Sequence, residues 1–327
     1  MLSPTIACNI EQVTALQESL LLKFSELFDF TTALMAFPVA LWALRHCMRP
    51  TRFHINFRMI GGVHCICLMI HCAGRVIQNG SAVYLWLGKL SLCEKRMHYG
   101  TCLTARLLNI FGLYSSSLTA SFMCIERTIA TKFYKKYEKK NWFLGVFLIF
   151  LQFLISFLIT LGYYENSVLD DRPSFCFLDI SREWAYCIET LMICANILGF
   201  CQCRRLNRIN TCIRKKSNTI ALGQKFQIEE NKMVIRIMDQ FNMMAFVSLI
   251  TFFTFGGLQL GIRNLISVPT FFAVFELLHC VPVYAIIMLT QMMKSIARLR
   301  AKQSQQIIKI VQTKDDAYFQ YLKKEWM

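Results

Sequence analysis

Charged residues are scarce in this chain. Only 17% of its 327 residues are Asp, Glu, Lys or Arg, whereas 55% are hydrophobic and 13% are aromatic. In a typical soluble domain, about a quarter of the residues are charged. The chain is long enough for two soluble domains, but its composition argues against them. The excess of Phe, Leu, Ile and Met predicts instead a protein whose helices face lipid.

Catalytic motifs are missing as well. The sequence contains no Gly-x-Ser-x-Gly, no His-Glu-x-x-His and no glycine-rich phosphate loop. Cys65, Cys67, His71 and Cys72 bring thiols and an imidazole close together in the chain. They lie in an apolar run, however, and do not make a complete set of four metal ligands. We therefore expect neither enzyme activity nor a bound metal or other cofactor.

Seven mainly apolar runs are present, each near the length of about 20 residues that crosses a bilayer as a helix. The fourth run, WFLGVFLIFLQFLISFLITLGYY, contains no charged residue. The sequence therefore predicts an all-α, integral membrane protein with a seven-transmembrane helix bundle at 24–293. The runs cover approximately residues 24–44, 55–77, 102–127, 142–164, 183–203, 239–262 and 268–293.

The distribution of Lys and Arg predicts the direction of the chain through the bilayer. The segments after the first, third, fifth and seventh runs carry 26 basic residues, and the N-terminus and the other connections carry 8. Because cytoplasmic segments hold such an excess, we expect the segment 1–23 outside and the tail 294–327 in the cytosol. An apolar stripe at helical spacing predicts that this tail begins as an amphipathic helix on the inner leaflet. The basic residues lie in separate short segments between the apolar runs and not in one patch, which argues against nucleic-acid binding despite the net charge of +16.

On this topology Asn79-Gly80-Ser81 lies in an outward connection, and we expect Asn79 to be a glycosylation acceptor. Cys102 opens the third run, and Cys176 lies midway along the next outward connection. A disulfide between these two would stabilise the fold by about 2–4 kcal/mol in the chain-entropy model; two unrelated thiols are the alternative. Cys8 and Cys93 also face outward, but sequence alone does not decide whether they form a second bridge.

The dipeptide Glu126-Arg127 lies at the inner end of the third run. One interpretation is a helix end that is anchored by a snorkelling arginine. The other is an ion-paired latch that holds the inactive bundle closed until the helices move apart. Cys102 precedes Arg127 by 25 residues, about 38 Å of helix, which reaches from one membrane surface to the other. The same spacing separates the bridging cysteine from the switch arginine in rhodopsin-like receptors, which favours the latch.

Five motifs resemble those of the nematode serpentine chemoreceptors of the Sra superfamily, most closely the Srab (class AB) family. They are FHINFRMI (53–60), CEKRMHYGTCLTARLL (93–108), IERTIAT (125–131), YEKKN (137–141) and LGQKFQIEENKMVIR (222–236). The resemblance covers nearly the whole chain. It implies a G-protein-coupled receptor in the plasma membrane of chemosensory neurons, in their cilia, with Arg127 as the switch arginine. The chain has Glu126-Arg127-Thr128 where the rhodopsin-like class has Asp-Arg-Tyr, and Pro282-x-Tyr284 lacks the usual preceding Asn.

Polar residues in the outer halves of the runs are costly in lipid and are expected to face the bundle interior. Together they predict a ligand pocket, in which Arg106 pairs with Glu276 or Glu189. The alternative is that these residues only lock the helices together. The many Phe and Met residues favour a small, largely apolar ligand with few polar contacts. The predicted pocket residues are His71, Arg75, Arg106, Asn109, Glu189, Glu276 and His279.

Two functions are compatible with these observations. The first is a chemosensory receptor whose inner helix ends, together with the basic segment 204–238, receive a heterotrimeric G protein. The second is a heptahelical ligand-gated ion channel or transport subunit. A channel needs polar residues through both membrane halves, or paired broken helices, whereas the inner halves of the fourth and fifth runs are almost wholly apolar. We therefore predict the receptor, without an indication of its oligomeric state.

Overall fold

The structure is a computed structural model of the full chain. The residues described are 10–49, 53–133, 137, 142–165, 167–168, 175–176, 179–180, 182–215, 222–262, 265–278, 281–298, 301 and 305. The predictions for Cys8, His279 and the tail after residue 305 lie outside the described residues.

Long helices dominate the described part of the chain. They are α1 (Ile10–Glu18), α2 (Leu20–Met48), α3 (Ile55–Leu87), α4 (Tyr99–Lys132), α5 (Phe143–Glu165), α6 (Arg182–Lys215), α7 (Leu222–Ile262) and α8 (Val268–Leu278). Residues 281–298 are helical too. Strands β1 (Ser167–Val168) and β2 (Asp179–Ile180) pair antiparallel, with Ser167 opposite Ile180.

Six helical segments among the described residues are long and apolar enough to cross a membrane. The last of them, Val268–Arg298, combines α8 with the helical residues 281–298. Helix α7 is not among the six, but it contains the predicted sixth run and packs against α4, α6 and α8 within the bundle. The predicted all-α, seven-helix class is therefore confirmed. The six segments comprise α2, α3, α4, α5, Tyr186–Ile213 in α6, and Val268–Arg298.

The burial pattern of α5 is the reverse of that in a soluble protein. Phe143 and Phe150 are 67% and 64% exposed, whereas Gln152 and Ser156 are fully buried. The side-chain amide of Gln152 donates to the carbonyl oxygen of Ser115 in α4, at 2.8 Å. An apolar exterior around hydrogen-bonded polar contacts is the arrangement that lipid selects, because polar groups in hydrocarbon must find partners inside the protein.

Helices α3 and α4 approach closely at two glycines. A Cβ atom on Gly74 would lie 2.5 Å from the carbonyl oxygen of Ala105, and one on Gly112 would lie 2.4 Å from the backbone nitrogen of His71. Any larger residue would force the two backbones apart, because both obstacles are main-chain atoms. Small residues commonly permit such contacts between membrane helices. This packing places the polar residues of α3 directly against α4.

The bundle has two distinguishable ends. At the disulfide end, Cys102 at the start of α4 is bonded to Cys176, and Leu16 of α1 packs with Leu22 and Ala273. At the Arg127 end, α4 finishes beside the start of α3 and the first part of α7. Helix α4 has 34 residues, about 50 Å at the usual rise, so it runs the whole distance between the two ends.

Candidate functional site

Glu126 and Arg127 form a buried ion pair at the Arg127 end. Both side chains are fully buried, and the guanidinium group of Arg127 donates to the Glu126 carboxylate. Arg127 also donates through Nη1 to Oδ1 of Asn231 in α7, at 3.0 Å. Nη1 lies 3.9 Å from the Glu230 carboxylate of the same helix. The arginine is therefore held inside the bundle and does not extend to the membrane surface.

Residues of α3 and of the connection after α4 complete this cluster. Tyr137 donates its hydroxyl hydrogen to the Glu126 carboxylate and accepts a hydrogen bond from Asn56 at 3.0 Å. The backbone N–H of His54 donates to Glu230 at 2.7 Å. Burial, followed by the negative charge of Glu126, raises the pKa of the Tyr137 phenol above its ordinary value. The phenol therefore stays protonated and keeps its role as a donor.

A second cluster of buried charges lies near the disulfide end. Arg75 in α3 pairs with Glu276 in α8 and lies 3.3 Å from the carboxylate of Asp29 in α2. Arg106 in α4 lies 3.3 Å from the other oxygen of Glu276. The predicted pairing of Arg106 with Glu276 is present, whereas pairing of Arg106 with Glu189 is not. Two arginines and two carboxylates thus neutralise one another and join four helices.

Arg106 also connects this charge cluster to the disulfide. Its Nε atom donates to the carbonyl oxygen of Cys176 at 2.9 Å, directly beside the bond between Cys102 and Cys176. The predicted bridge between these two cysteines is confirmed. Cys93 is disulfide-bonded as well. The connection that carries Cys176 is consequently fastened to α4 by a covalent bond and by a hydrogen bond to a charged group.

Asn79 does not lie in an outward connection as predicted, and its glycosylation stays a prediction. Helix α3 continues to Leu87, so Asn79 lies within the helix and is only 1% exposed. Its amide nitrogen, the atom that would carry a glycan, donates to the Asp29 carboxylate at 2.8 Å. The predicted end of the second run at residue 77 fell short of the helix end at Leu87, because hydropathy shows where lipid contact ends and not where the helix ends.

A cavity of about 60 Å³ lies among α3, α4, α6, α7 and the helical residues 281–298. Most of its lining is apolar. Of the predicted pocket residues that the structure describes, Glu189 lines it; His71, Arg75, Arg106, Asn109 and Glu276 do not. The lining residues are His64, Leu113, Tyr114, Ser116, Ser117, Glu189, Met192, Ile193, Phe241, Ala245, Ser248, Val281 and Tyr284.

Two of the predicted pocket residues serve to pack helices together. His71 Nδ1 lies 3.0 Å from the backbone carbonyl oxygen of Asn109, and both residues are buried between α3 and α4. This contact lies at the close approach around Gly112. For these residues the structure agrees with the alternative that polar groups lock the helices together.

A comparison with protein families matches residues 7–327 to the family described as serpentine type 7TM GPCR receptor class ab chemoreceptor. The chain belongs to the Srab family. This confirms the resemblance that the motifs indicated and makes the chain a multi-pass membrane protein of a chemoreceptor class. A comparison with individual curated proteins gives no match.

In this Srab chain, one helix lines the cavity and carries the buried arginine. Leu113, Tyr114, Ser116 and Ser117 of α4 line the cavity. Arg127 follows ten residues after Ser117, about 15 Å farther along the helix. Helix α7 repeats this arrangement, since Phe241 lines the cavity and Asn231 contacts Arg127. Two helices of the Srab bundle therefore extend from the cavity to the ion pair.

Several residues of the two charge clusters and of the cavity were not predicted from the sequence. Asp29 is an acidic residue inside the first apolar run, and its cost in lipid marks it as a bundle-facing residue. His64 lies on the polar face of the second run but was not assigned to the pocket. Tyr137 and Asn231 lie within two of the family-like motifs, YEKKN and LGQKFQIEENKMVIR. No sequence pattern indicated that these two residues meet at the Glu126-Arg127 pair.

Proposed function

We propose that this Srab receptor binds a small, largely apolar molecule in the cavity and, in response, activates a heterotrimeric G protein at the Arg127 end. The observation that carries the proposal is the continuity of α4 and α7 from the cavity lining to the buried ion pair. A ligand that shifts α4 at Leu113 or α7 at Phe241 would also move Arg127 and Asn231, because they lie farther along the same continuous helices.

Disulfide chemistry and the distribution of basic residues support an assignment of the two bundle ends to the two sides of the membrane. Disulfides persist on the oxidising side of a membrane, which supports an extracellular disulfide end. Lys and Arg collect in the segments that join the helices at the other end, which supports a cytosolic Arg127 end. The proposed site of action is the plasma membrane, and the family resemblance favours the cilia of sensory neurons.

Activation in this proposal separates α7 from α4. The contacts that oppose this movement are the hydrogen bond from Arg127 to Asn231 and the longer ion pair with Glu230. Their loss would open a cleft at the Arg127 end, with basic residues of α6 and α7 around it. An amphipathic helix of the G protein would bind in such a cleft.

The test uses the purified receptor in lipid nanodiscs with a heterotrimeric G protein, and it measures nucleotide exchange for agonists found in a screen of volatile compounds. Ala245→Phe fills the cavity and should abolish the response, because Ala245 lines it. Val247→Phe is the matched control, since Val247 is 53% exposed on the same helix. Equal agonist responses of both variants would reject the cavity as the ligand site.

A further inference from the structure

Glu189 is the acidic residue of the cavity, where it is half-buried, and it lacks the arginine partner that three fully buried carboxylates of the bundle have. Glu126, Asp29 and Glu276 each pair with an arginine. Among the described residues, no basic side chain forms an ion pair with Glu189. The lining contains no Lys or Arg either. Within the part of the chain that the structure describes, the cavity therefore holds one acidic group that no basic side chain balances.

An unbalanced carboxylate in an apolar site is costly unless a cation or a proton neutralises it. The hydroxyl groups of two tyrosines near Glu189 bond to each other instead. Tyr114 and Tyr163 form a hydrogen bond with each other and not with Glu189. A ligand that carries a positive charge would supply what the receptor lacks, whereas an anionic ligand would add a second negative charge.

His64 of α3 is a second polar group in the cavity. It is 2% exposed and interacts with the backbone of Ser116 in α4, and its ring has no further hydrogen-bond partner within the described structure. Its ring packs edge-on against Phe241 of α7, with 4.9 Å between the ring centroids. Buried polar atoms of native proteins are nearly always paired, so this imidazole indicates a position for a hydrogen-bonding group of the ligand.

We propose that the ligand is a small amine, which deepens the proposed function and rests on it. The protonated nitrogen binds the Glu189 carboxylate, and the hydrocarbon part packs against Met192, Phe241 and Leu113. A hydroxyl or second nitrogen of the ligand, where it has one, bonds to His64. The acid comes from α6 and the imidazole from α3, so the bound amine connects opposite walls of the cavity.

The experiment compares amines with neutral molecules of the same shape on the purified full-length receptor. The probes are benzylamine, hexylamine and cyclohexylamine, each against the alcohol with the same carbon skeleton, and the readout is thermal stabilisation as a function of probe concentration. Wild-type receptor should bind at least one amine with ~tenfold or higher affinity than its alcohol, the usual value of a charge-assisted contact.

Glu189→Gln should remove this preference by the same factor, so that the amine and its alcohol bind with similar affinity. Glu165→Gln, at the exposed end of α5, is the matched control and should keep the preference. Equal binding of amine and alcohol to wild type, or retention of the preference in Glu189→Gln, would overturn the proposal. Should the glutamine variant fail to fold, the wild-type comparison alone decides.

The outcomes separate this inference from the proposed function. If alcohols bind and activate but amines have no advantage, the amine assignment is wrong and the receptor function stands. If Ala245→Phe leaves the binding of both series intact, the cavity itself is not the ligand site. If neither series binds, the amine assignment is rejected, and the G-protein role is judged separately by the exchange measurements on Arg127 variants.

Discussion

Arg127 Nη1 lies 3.0 Å from Oδ1 of Asn231, and both side chains are fully buried. The first belongs to α4 and the second to α7, so this hydrogen bond opposes separation of the two helices. It uses a charged donor and is shielded from water, which places it among the stronger hydrogen bonds of a protein. The Glu126 carboxylate occupies the other side of the guanidinium group.

Replacing Asn231 by Ala should raise basal nucleotide exchange. The lost hydrogen bond to a charged group is worth about 1.5–3 kcal/mol, so the closed bundle should be less favoured and basal exchange should rise by at least about tenfold. Exchange on a supplied G protein without ligand is the measurement. Gln240→Ala on the exposed face of α7 is the control, and a basal rate equal to wild type in Asn231→Ala would contradict the latch.

Replacing Arg127 by Ala should abolish agonist-driven exchange, because the residue that changes partners during activation is gone. Surface expression should persist at a level sufficient for the assay. The double variant Glu126→Ala with Arg127→Ala avoids an uncompensated buried carboxylate and checks that the loss does not reflect misfolding. Lys132→Ala, exposed near the end of the same helix, should signal normally. Unchanged signalling of the Arg127 variant would reject the switch role.

Replacing Glu276 by Gln should destabilise the receptor strongly. The change leaves Arg75 and Arg106 with one carboxylate between them, Asp29, and breaking a buried ion pair costs about 3–5 kcal/mol. Thermal unfolding of the purified receptor should show a clearly lower midpoint. Glu165→Gln, in an exposed position, should not change the midpoint. A variant as stable as wild type would show that the charge cluster does not support the fold.

Replacing Cys102 or Cys176 by Ser should reduce delivery to the cell surface by equal amounts, and the double variant should be no worse than either single one. Both changes remove the same bond, which is worth about 2–4 kcal/mol in the chain-entropy model. Cys187→Ser removes an exposed free thiol and should have no effect. Surface staining of intact cells measures the result, and additive losses would mean that the two thiols act separately.

Replacing Gly112 by Ala should prevent correct packing of α3 against α4. The added methyl group would meet main-chain atoms of His71 and Cys67 at 2.4 and 2.6 Å, which no rotamer change relieves. Gly199→Ala is the matched control, because its new methyl group would lie 3.7 Å from Cys124 Sγ, an ordinary contact. The yield of monodisperse receptor should fall for the first variant and not for the second; equal yields would disprove the close approach.

Hydropathy, charge and short motifs predicted much of this molecule. The seven apolar runs fall on the long helices, because a bilayer demands a local property that each segment carries by itself. The pairing of Arg106 with Glu276 was one of two predicted pairings, because unpaired charges are costly inside a membrane bundle. The bridge between Cys102 and Cys176 followed from the predicted side of the membrane.

The amino-acid sequence by itself determined that the chain is an all-helical membrane protein of seven spans and that it belongs to a receptor family. Only the tertiary structure decided that the cavity lies beside Glu189 and His64, away from the charge cluster around Glu276. It also decided that Asn79 is buried and that Asn231 meets Arg127. These facts depend on how helices rotate about their axes and how closely they pack, which follows from contacts between residues far apart in the chain.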